Sequence, residues 1–218
     1  MDRTAACVAA VRLSCLCESG SCVAVRDARS RAGLNPFFGE NLMRVALISD
    51  LHGNEAALHA VLKDIERASA DQLICLGDVA TLGPRPEAVL RTLRELGCPC
   101  ILGNHDEFLL VPELMQEYTE APIIIAAVDW CRSRLGAADL EFLRSFKRQL
   151  ELPLGGGAAL LAFHGSPRSH MEDLLATTPP EVLDAALGST AATVLAGGHT
   201  HLQMLRQHKG ALIVNPGS

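Results

Sequence analysis

From residue 43 onward, short apolar runs end abruptly in glycine and a polar residue, and this pattern repeats along the chain. Val45–Ile48, closing in Ser49-Asp50, predicts a buried strand that feeds a loop. Leu58, Val61, Leu62 and Ile65 then recur at i, i+3, i+4 and i+7, so residues 54–68 make one apolar helical face. Asp71–Leu76 predicts a second strand with Gly77-Asp78 at its carboxyl end. Pro86 suits a first helical turn, Val89, Leu90 and Leu93 supply the apolar face, and Gly97 closes the helix. Cys98–Leu102 predicts a third strand, ending at Gly103-Asn104-His105-Asp106.

Residues 107–150 read as helices over roughly 107–117, 122–135 and 138–148, with Trp130 and Phe142 as expected core anchors. Gly155-Gly156-Gly157 predicts a hairpin or loop before a strand at Ala159–Phe163. It lacks the lysine and the strand-then-helix setting of a phosphate-cradling loop. A short helix is expected at Leu183–Leu187, a strand at Thr193–Ala196, and further strands near 202–206 and 211–214. Strands alternating with helices in this way indicate an α/β fold.

Residues 1–42 read differently. They hold five Arg, four acidic residues, four of the eight cysteines and no histidine, without sustained helical period or strand alternation. Thr4–Val11 is too short an apolar stretch for a secretion signal, and Arg12 breaks it. Met43 directly precedes the first clean strand. The segment 1–42 is therefore expected to be an N-terminal extension, disordered or lying ahead of a natural start, and residues 43–218 the functional domain.

Composition narrows the function classes. The chain has 218 residues, 49% of them apolar, which suits one sizeable domain. Nineteen Lys and Arg against 25 Asp and Glu give a net charge of −6, which opposes bulk attraction to nucleic acid. No apolar run reaches the roughly 18–20 residues that cross a bilayer, so no membrane partner is expected. The cysteines form no C-x-x-C pair, which favours reduced thiols and a cytoplasmic location.

Five strand ends carry the chemistry. Asp50 and His52 follow the first predicted strand, Asp78 the second, Asn104 and His105 the third, His164 the fourth, and His199 and His201 the fifth. The carboxyl ends of strands in an α/β sheet lie together, so these residues are expected to converge on one crevice. In an extended loop, residues i and i+2 can both turn toward one ion, which suits Asp50 with His52 and His199 with His201. Two carboxylates, one amide and four imidazoles make a mixed oxygen–nitrogen site. Such a site suits Mn²⁺, Fe²⁺, Zn²⁺, Co²⁺ or Ni²⁺ better than Mg²⁺. His59, His170 and His208 lie away from strand ends and are not candidates.

Ser49-Asp50-Leu51-His52-Gly53-Asn54, Gly77-Asp78-Val79 with Gly83-Pro84, Gly103-Asn104-His105-Asp106, His164-Gly165-Ser166-Pro167 and Gly198-His199-Thr200-His201 occur in that order. Together they resemble the calcineurin-like metallophosphoesterase family. The closing Asn215-Pro216-Gly217-Ser218 resembles its small bacterial and archaeal phosphodiesterase-like branch. The resemblance covers 43–218 and implies a four-layer α/β/β/α sandwich with two mixed sheets. It also implies two divalent transition-metal ions, Mn²⁺ first, held by Asp50, His52, Asp78, Asn104, His164, His199 and His201. Asp78 would bridge, and His105 would act on the scissile phosphate and its leaving group. The branch usually continues past the Asn-Pro-Gly-Ser block, so the sequence is expected to lack the usual C-terminal end.

The expected function is metal-dependent hydrolysis of a phosphomonoester or phosphodiester, on a small molecule or a protein, by metal-activated water. A nuclease with the same centre is the alternative, opposed by the absence of a basic track. A non-catalytic interaction scaffold, like the retromer subunit of this superfamily, is the other alternative; it would be expected to have lost centre residues that are all present here.

Overall fold

The computed structural model describes residues 9–15, 23–26 and 43–218. A four-stranded sheet runs in the order β2 (Val23–Arg26), β1 (Ala9–Cys15), β3 (Arg44–Ile48), β4 (Gln72–Cys75). A five-stranded sheet runs β5 (Leu150–Gly155), β6 (Ala158–Ala162), β7 (Val194–Ala196), β9 (Ala211–Asn215), β8 (Met204–His208). Both are mixed. β3 pairs parallel to β4 and antiparallel to β1, while β6, β7 and β9 are mutually parallel and β5 and β8 flank them antiparallel.

Strand alternation builds the layers. On β3, Val45 and Leu47 face the second sheet, where Leu160, Ala162, Val194, Ala196, Leu212 and Val214 complete a core between the sheets. Ala46 and Ile48, on the opposite face, pack with α1 (Glu55–Ala68) and α2 (Pro86–Leu96) through Leu58, Val61, Val89, Leu90 and Leu93. Beyond the second sheet, Leu195 and Ile213 meet Leu183, Ala186 and Leu187 of α7 (Pro180–Leu187). Four layers result, as expected. Asn54 caps α1 by accepting the Ala57 N–H, and Gly97 closes α2 in the left-handed conformation.

The structure corrects several expectations. The third predicted strand is reduced to isolated bridges, Cys75 with Cys100 and Ile101 with Lys147. The helix expected over 107–117 starts earlier and divides at Val111-Pro112 into α3 (Asn104–Leu110) and α4 (Glu113–Tyr118), because Pro112 cannot continue the backbone ladder. α5 (Pro122–Ser133) buries Val128 and Cys131, which leaves Trp130 47% exposed beside Arg134 and not in the core. α6 (Ala137–Arg144) stops short of the expected 148.

Residues 1–42 were read as lacking strand alternation; within them, β1 and β2 are strands. β1 takes up the edge of β3 left open by β4, in register Val11 opposite Val45. Its alternation, Val11, Leu13 and Cys15 against Arg12 and Ser14, is too short to stand out among neighbouring alanines. The rest of that segment lies outside the described residues. Cys75, Cys98, Cys100 and Cys131 are free thiols.

Candidate metal centre

All eight predicted residues come to one crevice at the carboxyl ends of the strands. Asp50 and His52 follow β3, Asp78 follows β4, His164 follows β6, and His199 and His201 follow β7. Asn104 and His105 lie on the first turn of α3 and not in a loop, because Asp106 Oδ2 accepts the Gly103 N–H at 3.0 Å and starts the helix there.

The backbone is unusual here. Asp50, His52, Asp78, His199 and His201 all have positive φ, between 42° and 68°, a region that side chains with a Cβ rarely occupy. Backbone hydrogen bonds hold them there: Asp50 N–H donates to Gly77, and His52 N–H to Asp78, each at 2.9 Å. Gly103 presses on Asp78 so closely that a Cβ would sit 2.0 Å from Oδ1, which only glycine tolerates.

The side chains form two groups. Asp50, His52 and His201 offer donor atoms within 4.8 Å of one another, and so do Asp78, His164 and His199. In the first group, Nε2 of His52 lies 3.2 Å from Nε2 of His201, which is 3.4 Å from Asp50 Oδ1. In the second, His164 Nε2 is 3.4 Å from Asp78 Oδ2, and Asn104 Oδ1 lies 3.1 Å from both His164 Nε2 and His199 Nδ1. Asp78 Oδ2 also stands 3.8 Å from His52 Nε2, so this one oxygen faces both groups. Its other oxygen accepts the His105 backbone N–H at 2.9 Å.

The imidazoles are oriented from behind. His164 Nδ1 donates to the Leu76 carbonyl at 2.7 Å, which aims Nε2 into the crevice. Nδ1 of His52 meets Thr81 Oγ1 at 3.1 Å, and Nδ1 of His201 meets Ser218 Oγ at 3.0 Å. Two imidazole nitrogens at 3.2 Å and a buried Asp50 Oδ1 without a hydrogen-bond partner among the described residues make a poor self-contained network. They suit a shared cation.

Charge reinforces this. Burial alone would raise the Asp78 carboxyl, but His164 and His52 hold it well below the usual carboxylate range. Burial would lower His164, yet Asp78 and Asp50 lift it to about 9. Burial outweighs Asp78 at His52 and pushes it to about 4. At Asp50, burial dominates and raises the carboxyl. Burial likewise lowers His105 and His199. A cation in the crevice would favour the carboxylates in their charged forms and the imidazoles in their neutral forms.

Sequence reading missed the supporting residues. Asp106 is fully buried and accepts N–H bonds from Asp78 (2.8 Å), Val79 (2.9 Å) and Gly103 (3.0 Å), tying two donor loops together. Asn215 donates to the Gly198 carbonyl at 2.6 Å and to Thr200 Oγ1 at 3.1 Å, pinning the His199–His201 loop. Both stand inside the motif blocks, where their neighbours drew the attention; Thr81 carries no sequence signal. Asp106→Ala orphans three buried donors and is expected to destabilise the metal-free chain by about 3 kcal/mol. Urea unfolding measures this, and a change below about 1 kcal/mol would refute the tie.

Comparison with known proteins identifies the family. The calcineurin-like phosphoesterase superfamily domain matches residues 43–218. An uncharacterised protein of Methanocaldococcus jannaschii is 29% identical over 173 residues, 79% of this chain and 68% of that protein. The symmetrical bis(5'-nucleosyl)-tetraphosphatase of Shewanella baltica is 32% identical over 100 residues, 40% of this chain and only 36% of that enzyme's length. The crystal structure of a metallophosphoesterase from Sphaerobacter thermophilus superposes with a TM-score of 0.64 at 26% identity, covering 82% of this chain and 77% of that one. The chain thus belongs to the calcineurin-like phosphoesterase superfamily, a family of metal-dependent phosphoesterases.

Proposed function

We propose that residues 43–218 hydrolyse small phosphomonoesters or phosphodiesters at a dinuclear centre. The observation that carries this reading is Asp78, whose Oδ2 faces both donor groups while its Oδ1 holds the backbone of His105. Asp50, His52 and His201 would hold one divalent ion, and Asn104, His164 and His199 the other, with Asp78 between them. Manganese is the first ion to load, with iron, zinc, cobalt and nickel as alternatives. Such a pair supplies Lewis acidity toward phosphoryl oxygens and toward water.

The chain's own residues do the rest. Among the described residues His105 Nδ1 has no hydrogen-bond partner, and this ring is assigned the contact with the leaving group. Hydrolysis adds the hydroxyl of water to phosphorus and a proton to the departing oxygen, and His105 is placed to donate at that oxygen. Asn104 adds an amide oxygen without adding charge. Thr81, Leu76 and Asn215 keep the donors aimed.

The match to a tetraphosphatase supports small phosphoesters, dinucleoside polyphosphates included, as the substrate class. Basic side chains near the crevice are engaged with carboxylates: Arg148 and His170 with Glu107, and Arg168 with Glu172. This argues against a nucleic-acid track. Among the described residues no helix is long and apolar enough to cross a membrane. The free thiols fit a reducing compartment such as the cytoplasm. The test is chelation, reloading with each metal, and assay with p-nitrophenyl phosphate and bis-p-nitrophenyl phosphate. Turnover that returns as two ions bind per chain is expected. A chain with both ions bound that cleaves neither ester would overturn the reading.

A further inference from the structure

The surroundings of His105 are lopsided. Its ring meets His52 edge-on at 5.1 Å and Phe108 at 5.3 Å, and its third aromatic neighbour is Tyr118, with centroids 5.9 Å apart at 78°. Phe108 is fully buried. Tyr118, the chain's single tyrosine, packs on Phe108 at 5.0 Å yet remains 41% exposed at the end of α4. Leu82, 43% exposed and held at φ 61°, follows the Thr81 that contacts His52. His105 therefore has aromatic neighbours, one of them 41% exposed, whereas His199 has Asp173 at 3.3 Å.

This asymmetry assigns directions to a bound phosphoester. The phosphoryl group belongs among the donors, and the departing oxygen belongs at His105. The group attached to that oxygen must then leave along the side where Tyr118 stands. A half-exposed ring already anchored at its back by a buried phenylalanine loses little freedom when a second ring stacks on it.

We propose that Tyr118 is the leaving-group platform of this site and selects phosphoesters whose leaving group carries an aromatic ring, a nucleobase or an aryl group. The inference rests on the phosphoesterase reading above and narrows its substrate class. Tyr118 acts by stacking and is a specificity-determining residue, with no part in proton transfer.

The test uses the metal-loaded protein and binding, so that it does not depend on turnover. Phenylphosphonate and methylphosphonate carry the same anionic head and differ in the ring. By calorimetry, the parent chain is expected to bind phenylphosphonate about tenfold more tightly, the size of a single stacking contact. Tyr118→Phe, which retains the ring, keeps that preference. Tyr118→Leu, which retains bulk without a π face, reduces it to about twofold or less. Absence of a preference in the parent, survival of the preference in Tyr118→Leu, or failure of either phosphonate to bind would overturn the assignment. Turnover of p-nitrophenyl phosphate and bis-p-nitrophenyl phosphate, measured alongside, separates the two readings. The phosphonate preference without hydrolysis of either ester would refute the hydrolase and leave Tyr118 as a ring-binding residue with no leaving group to hold; hydrolysis without the preference would refute the platform and leave the hydrolase standing.

Discussion

Asp78→Asn is expected to fold normally by far-UV circular dichroism, to retain less than one tightly bound divalent ion per chain, and to lose turnover by roughly 10²–10³-fold or more. The asymmetry of the carboxylate predicts this. Oδ1 accepts the His105 N–H, a task that an amide oxygen performs equally well. Oδ2 lies 3.4 Å from His164 and 3.8 Å from His52, and there the charge is what the substitution removes. The carboxyl is held ionised against full burial by His164 and His52, so its negative charge is the resource shared by both donor groups. His201→Ala removes a donor from one group only, on its open side, and should cost less. Elemental analysis of the dialysed variant decides the matter: two ions per chain with activity within tenfold of the parent would show that Asp78 does not bridge.

His105→Ala should separate chemistry from metal binding. Turnover on an ester with a poor leaving group is expected to fall about 10²–10⁴-fold while both ions remain bound. The imidazole stands 8% exposed over the donor groups, its Nδ1 has no partner among the described residues, and the backbone N–H that supports Asp78 survives the substitution. The loss should shrink on esters with strongly acidic leaving groups, which depart without a proton. Equal losses on both kinds of ester would mean that His105 only fills space beside Phe108 and Tyr118.

The candidate donors could be picked out in the sequence because each stands where an apolar run stops, and a strand end is a local event. Asp50, Asp78, His164 and His199 needed no knowledge of the partner strands, and the six-residue block around His52 marked itself. What depended on distant packing was harder to read. Asn104 and His105 resemble a loop after a strand until Asp106 is seen accepting the Gly103 N–H and opening a helix. Trp130 reads as core by its aromatic character alone, yet its helix turns Val128 and Cys131 inward instead. Tyr118 gave no signal because its role comes from meeting Phe108 and His105, and Pro112 separates its helix from theirs. The strands β1 and β2 were missed for the same kind of reason: an open edge on β3 recruits them, and an edge is a property of the sheet.

The left-handed backbone at Asp50, His52, Asp78, His199 and His201 sets function against heat resistance. Each non-glycine residue in that conformation costs about 1 kcal/mol relative to glycine, and a domain of this size has only about 5–15 kcal/mol in total. Selection for thermal survival alone would therefore favour glycine at His52, His199 and His201, whereas at Asp50 and Asp78 the carboxylate oxygens that accept the His199 and His105 N–H groups offset the gain. A lineage released from the need for the chemistry would slide the same way. In a related chain, glycines at the three histidine positions would thus mark a centre abandoned downhill, whereas retained histidines would point to continuing selection for the site.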